Sequence, residues 1–83
     1  MMRYDLEEVR EFSVIGIRDL KENRTCIIPV EPFWDDDYEI IEAIEKTAWN
    51  FNYTDDIVLI GGYEVEHDVN GEVIIKDAVV IGM

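Results

Sequence analysis

Residues 55–83 read DDIVLIGGYEVEHDVNGEVIIKDAVVIGM, and the reading of this stretch decides the fold. Two apolar runs, Ile57 to Ile60 and Ala78 to Ile81, stand on either side of a polar centre, DVNGE. Asp68 suits the start of a type I turn. Gly71 can take positive φ and close the turn with a bulge. The stretch is therefore expected to form a long hairpin. In its register Val65 faces Ile75, and Glu64 faces Lys76 as a cross-strand ion pair. The dipeptide Gly61–Gly62 is expected to mark a β-bulge. It does not suit a phosphate loop, since no lysine follows and the segment leads into a strand.

Working back towards the N-terminus, FWDDDYEIIEAIEKTAWNF at residues 33–51 predicts a helix over about 36–51. Asp35 or Asp36 can cap it, and further acids in its first turn oppose the positive end of the helix dipole. Ile40, Ile41, Ile44, Ala48 and Phe51 recur at helical spacing and should form one buried face. Further back, EFSVIGIRDL at 11–20 reads as a strand, LKENRT as a turn and CIIPV at 26–30 as a second strand. Pro29 has no N–H to give to a ladder, so this strand should lie at an edge or end early.

The order is thus β-β-α-β-β. The expected fold class is α+β: an antiparallel sheet of about four strands with one helix packed on one face. One helix covers only one face of a sheet. Yet Ile57–Ile60 and Ala78–Ile81 are apolar on successive residues, whereas a strand with one wet face alternates. A second copy of the chain is expected to cover the other face, giving a homodimer.

The chain has 83 residues, enough for one small domain with one modest core. No apolar run approaches the roughly 18 residues of a membrane span. Arg3, Asp5, Glu7 and Glu8 interrupt the apolar character that a signal peptide would need. The single Cys26 fits a reducing compartment, and cytoplasmic location is the expectation. In an apolar strand that thiol is expected to serve packing.

Charge is unevenly spread. Residues 1–30 carry six acids and five bases, whereas residues 31–83 carry fourteen acids and two bases, Lys46 and Lys76. Of the net charge of −13, the second part therefore holds −12. Such a field repels nucleic acid and anionic membrane, and attracts cationic ligands or basic protein surfaces. On a helical wheel Tyr38, Glu42, Glu45 and Trp49 fall within about 60° of one another, beside the apolar face and not within it. Carboxylates interleaved with rings suit a cation, or an arginine-rich surface. The candidate binding residues are these four with Asp36 and Asp37. The plain alternative is that Tyr38 and Trp49 fold over the rim of the core and the glutamates are merely solvated.

Other chemistry finds little support. Three consecutive aspartates on a starting helix point apart and suit capping better than a metal. His67, the one histidine, sits near a hairpin tip with no nucleophile beside it in sequence. One histidine and one cysteine do not make a zinc site. Neither an enzyme nor a cofactor is expected.

The segment YDLEEVREFSVIGIR, residues 4–18, resembles the opening of the GyrI-like effector-binding family. The matching residues are Tyr4, Leu6, Phe12, Val14, Ile15, Gly16 and Ile17. The resemblance implies a strand–helix–strand–strand module, supplied here by residues 9–18, 36–51 and 57–81, and a regulatory binding role. That family uses the module twice, with its ligand cleft between the copies. Gly16 in mid-strand would allow a backbone or ligand to approach closely. A second functional class also fits the charge. Small acidic inhibitors that mimic DNA set surface carboxylates where phosphates would lie. Such a mimic needs carboxylates in exposed rows, whereas ligand binding needs a concave pocket.

Overall fold

The computed structural model describes residues 2–29 and 36–83. The segment 30–35, with the expected connection and the possible cap Asp35, lies outside the described residues.

Asp5 accepts from the Glu7 N–H at 2.9 Å and starts a short helix α1, Leu6–Arg10, which buries Val9. The expected first strand is accordingly shorter: β1 is Val14–Asp19, because the chain before it satisfies its backbone groups as a helical turn. β2 is Arg24–Ile28 and ends just before Pro29, which cannot donate to a neighbour. Asp36 caps α2, Asp37–Asn50, by accepting from the Tyr38 N–H at 2.9 Å. Then come β3, Ile57–Gly62; β4, Glu64–His67; β5, Val73–Lys76; and β6, Val79–Gly82.

One sheet is antiparallel, in the order β2-β1-β3-β6, and a second sheet holds β4 and β5. α2 lies on one face of the larger sheet. There Ile40, Ile44, Ala48 and Phe51 pack with Val9, Ile15, Ile17, Ile28, Leu59 and Ile81. Ile41 departs from the expected buried face: it is 37% exposed. It sits 60° or more around the wheel from Ile40 and Ile44, on the shoulder of the apolar arc.

The hairpin turn is as expected. Gly71 has φ of 81° and donates to the Asp68 carbonyl at 3.0 Å, and the Asp68 N–H donates to the Glu72 carbonyl at 3.0 Å. Glu64 pairs with Lys76 and Val65 with Ile75, in the expected register. The same register continues to Gly61–Val79 and Ile60–Val80. The bulge, however, lies between Leu59 and Ile60, not at Gly61–Gly62.

What the pattern did not disclose is a bend. The hairpin leaves one sheet after Gly62 and enters the other at Glu64. On the returning arm Asp77 takes φ of 52°, a left-handed conformation costly for a residue other than glycine. The tip thereby folds back over the sheet face opposite α2. Ile75 sits on a floor made by two glycines. A Cβ built on Gly62 would overlap Ile75 Cγ2, and one on Gly16 would lie 3.4 Å from Ile75 Cδ1 and 2.8 Å from the Cys26 carbonyl oxygen. So the close approach expected at Gly16 is made by the backbone of β2, at the Cys26 carbonyl, with the Ile75 side chain of β5 next to it. Val58, Ile60 and Ile75 are buried together, with Val14 and Ile27 against them. The chain's own hairpin thus covers part of the face for which a second copy was invoked. Val80 remains 51% exposed.

Candidate functional site

The outer face of α2 carries the expected stripe. Tyr38 is 72% exposed, Trp49 is 71% exposed, Glu42 is exposed and Glu45 is half-buried. Both rings are largely exposed.

The six candidate residues do not converge on one point. Asp36 is committed to the helix cap. Asp37 pairs with Arg10 of α1, tying the two helices together. At 1.5 Å rise per residue, Asp37 lies about 12 Å along the axis from Glu45 and about 18 Å from Trp49. Both aspartates remain exposed while making these contacts. Glu42, Glu45 and Trp49 occupy successive turns and can contact one ligand surface, with Tyr38 a turn further on.

Sequence reading missed Tyr53. Asn52 and Tyr53 both take left-handed backbone conformations, with φ of 58° and 49°. Together they reverse the chain after α2, and the Tyr53 N–H donates to the Ala48 carbonyl at 3.3 Å. This returns the Tyr53 ring along the helix. Its hydroxyl donates to the Glu45 carboxylate and lies 3.1 Å from the Glu45 carbonyl oxygen. Trp49 meets the Tyr53 ring edge-on at a centroid distance of 6.1 Å. The available cue was Asn52, since asparagine tolerates this conformation after a helix.

Tyr4 and the N-terminal segment were also missed. Arg3 and Met83 exchange backbone hydrogen bonds at 2.7 and 3.2 Å, which fixes the segment beside the last strand. Met2, Arg3, Tyr4 and Leu6 then line a groove of about 500 Å³ with Ile41 and Glu45. This explains the position of Ile41: it faces the groove's wall and water together.

Electrostatics at this end centre on Glu45. The hydrogen bond to its carboxylate is the main reason the Tyr53 hydroxyl holds its proton more tightly than an ordinary tyrosine, with burial and the charges of Glu45 and Tyr4 adding to it. Burial, then the negative charge of Glu45, raises Tyr4 in the same direction. Both hydroxyls therefore stay neutral at physiological pH.

Other residues fall as follows. Cys26 is exposed, not packed, because β2 is an edge strand with little covering that side chain. His67 lies at the exposed end of β4. Among the described residues, no group of three or more His, Cys, Asp or Glu side chains is placed to hold a metal ion. Nor is any helix among them long and apolar enough to cross a membrane.

No family model matches the chain, and neither a curated protein nor a solved structure matches it at a significant level.

Proposed function

We propose that the chain is a non-enzymatic binding module, and that the acidic, aromatic surface of α2 takes a cationic small molecule or a basic protein surface. The observation that carries this reading is the exposure of Tyr38 and Trp49, each above 70%, on the helix face that also holds Glu42 and Glu45. Large rings left in water beside carboxylates offer a cation both charge and π-electron density. The excess of −12 over residues 31–83 raises the encounter rate with any such partner. The resemblance of residues 4–18 to GyrI-like domains gives the same reading a regulatory setting.

The test uses a nona-arginine peptide as the probe, with binding and unfolding measured on the same variants. Glu42→Gln is the clean change, since Glu45 also holds Tyr53. Glu42→Gln and Trp49→Ala should each weaken binding by about 1–3 kcal/mol with stability nearly unchanged, and Glu42→Gln should also reduce its salt dependence. If both variants bind as the wild type does, the surface is only a solvated face.

The acidic charge also favours a DNA-mimic inhibitor. That reading gains if DNA-binding proteins held by the chain are released by duplex DNA, and if these two variants hold them as well as the wild type does.

A further inference from the structure

The face opposite α2 is only half closed by the bent hairpin. Ile75 covers the end at Gly16 and Gly62. Beyond it an open groove of about 410 Å³ runs over Val58, Ile60, Ala78 and Val80, and Leu20 and Arg18 also line it. This volume is within the usual range for a small-molecule site.

Arg18 sets the chemistry of the groove. It is partly buried, and its guanidinium donates to Thr25 Oγ1 at 3.0 Å and to Asn23 Oδ1. Both acceptors are neutral. In so acidic a chain, Arg10 has found Asp37 and Lys76 has found Glu64. Among the described residues no carboxylate pairs with Arg18, and none lines the groove. The nearest acid in sequence, Asp19, points to the other side of the strand and accepts from the Lys21 and Glu22 N–H groups at 3.0 and 3.1 Å. A partly desolvated cation without a counter-charge is costly, and a guanidinium has five donors, of which the protein uses two here.

We propose that this groove binds a small amphipathic monocarboxylate, with its carboxylate on the Arg18 guanidinium and its aliphatic tail over Val58, Ile60 and Val80. A carboxylate matches the planar fork of an arginine in two parallel hydrogen bonds. The tail covers Leu20 and Val80, which are otherwise 56% and 51% exposed, and lies across the buried Val58 and Ile60. The overall negative charge opposes such a ligand only weakly. It is screened beyond about 8 Å at physiological salt, whereas the guanidinium is in contact. This site lies on the opposite face of the sheet from the α2 surface, so the two readings stand or fall separately.

The experiment titrates isotope-labelled protein with decanoate, and separately with decanol and decyltrimethylammonium, following the signals of Arg18, Val58, Ile60 and Val80. Decanoate should move these signals and bind at least about tenfold more tightly than decanol, a difference of about 1.4 kcal/mol. Arg18→Gln should reduce decanoate to the level of decanol, and Arg18→Lys should keep part of the preference. If Arg18→Gln does not fold, Leu20→Glu at the groove's rim should weaken decanoate and spare decanol. The proposal is overturned if decanol binds as well as decanoate, if the ammonium compound binds better, or if none moves these signals. It is also overturned if sedimentation shows a dimer that Val80→Glu splits, since the occupant is then a second copy.

Discussion

Replacing Gly62 by alanine puts a methyl group where Ile75 already lies. The backbone itself would accept alanine, because Gly62 lies outside the positive-φ region that favours glycine. On intrinsic preference alone, the change should stabilise a strand by about 0.5–1 kcal/mol, since alanine loses less backbone entropy on folding than glycine. The packing argues the opposite. The added Cβ would overlap Ile75 Cγ2 and lie 3.1 Å from the Lys76 carbonyl oxygen. Neither neighbour yields easily: Ile75 is buried against Val58 and Ile60, and the carbonyl belongs to the hairpin's backbone. Overpacking of this kind costs about 1–3 kcal/mol, so the net effect should be a loss of up to about 2.5 kcal/mol. Urea unfolding followed by circular dichroism measures it. A double-mutant cycle locates it: once Ile75→Ala has removed the larger obstacle, Gly62→Ala should cost clearly less than in the wild type, with only the Lys76 carbonyl oxygen at 3.1 Å still crowding the methyl group. If Gly62→Ala is stabilising in the wild-type background, the hairpin tip does not lie on the sheet and the account of that face is wrong.

Two further outcomes are expected. Ile44→Ala, at a fully buried position, should cost about 2–4 kcal/mol, while Ile41→Ala should cost less than about 1 kcal/mol; equal losses would mean the helix is rotated from its place on the sheet. The raised Tyr53 and Tyr4 hydroxyls contribute stability that is present below the unfolded-state value of about 10 and is lost as pH rises through their higher folded values. Wild-type stability should therefore fall as pH rises above about 10, and Tyr53→Phe should flatten part of that fall. An unchanged slope in Tyr53→Phe would show that the Tyr53–Glu45 contact does not persist in solution.

Local patterns made much of this molecule legible in its sequence. The turn at Asp68–Gly71 and the register around it follow from turn chemistry within a few residues. The helix followed from its apolar spacing and from Asp36 as cap. The stripe of Tyr38, Glu42, Glu45 and Trp49 was legible for the same reason, since a helical wheel needs only spacing. The exposure of Tyr38, Glu42 and Trp49 agrees with the wheel, whereas Glu45 is half-buried. Asp36 and Asp37 were read as part of that surface, but the cap and the pairing with Arg10 take them up. That pairing joins residues 27 positions apart, a distance over which spacing carries no information.

Only the tertiary structure decided where the hairpin's far end goes. A two-residue period places Ile75 on a face of its strand but does not say which surface that face meets. Gly16 and Gly62 are far apart in sequence, and only the sheet brings them together under Ile75. The bend at Asp77 rests on one left-handed residue that has no glycine to announce it. The same bend half closes the second face and leaves the groove beside Arg18 open. Tyr53 and Tyr4 reach Glu45 only after the chain reverses beyond α2 and the N-terminal segment docks on the last strand. Composition set how much charge and apolar surface the chain carries, and long-range closure set which of it stayed exposed. That is because burial is a property of both surfaces that meet, and a sequence pattern describes only one of them at a time.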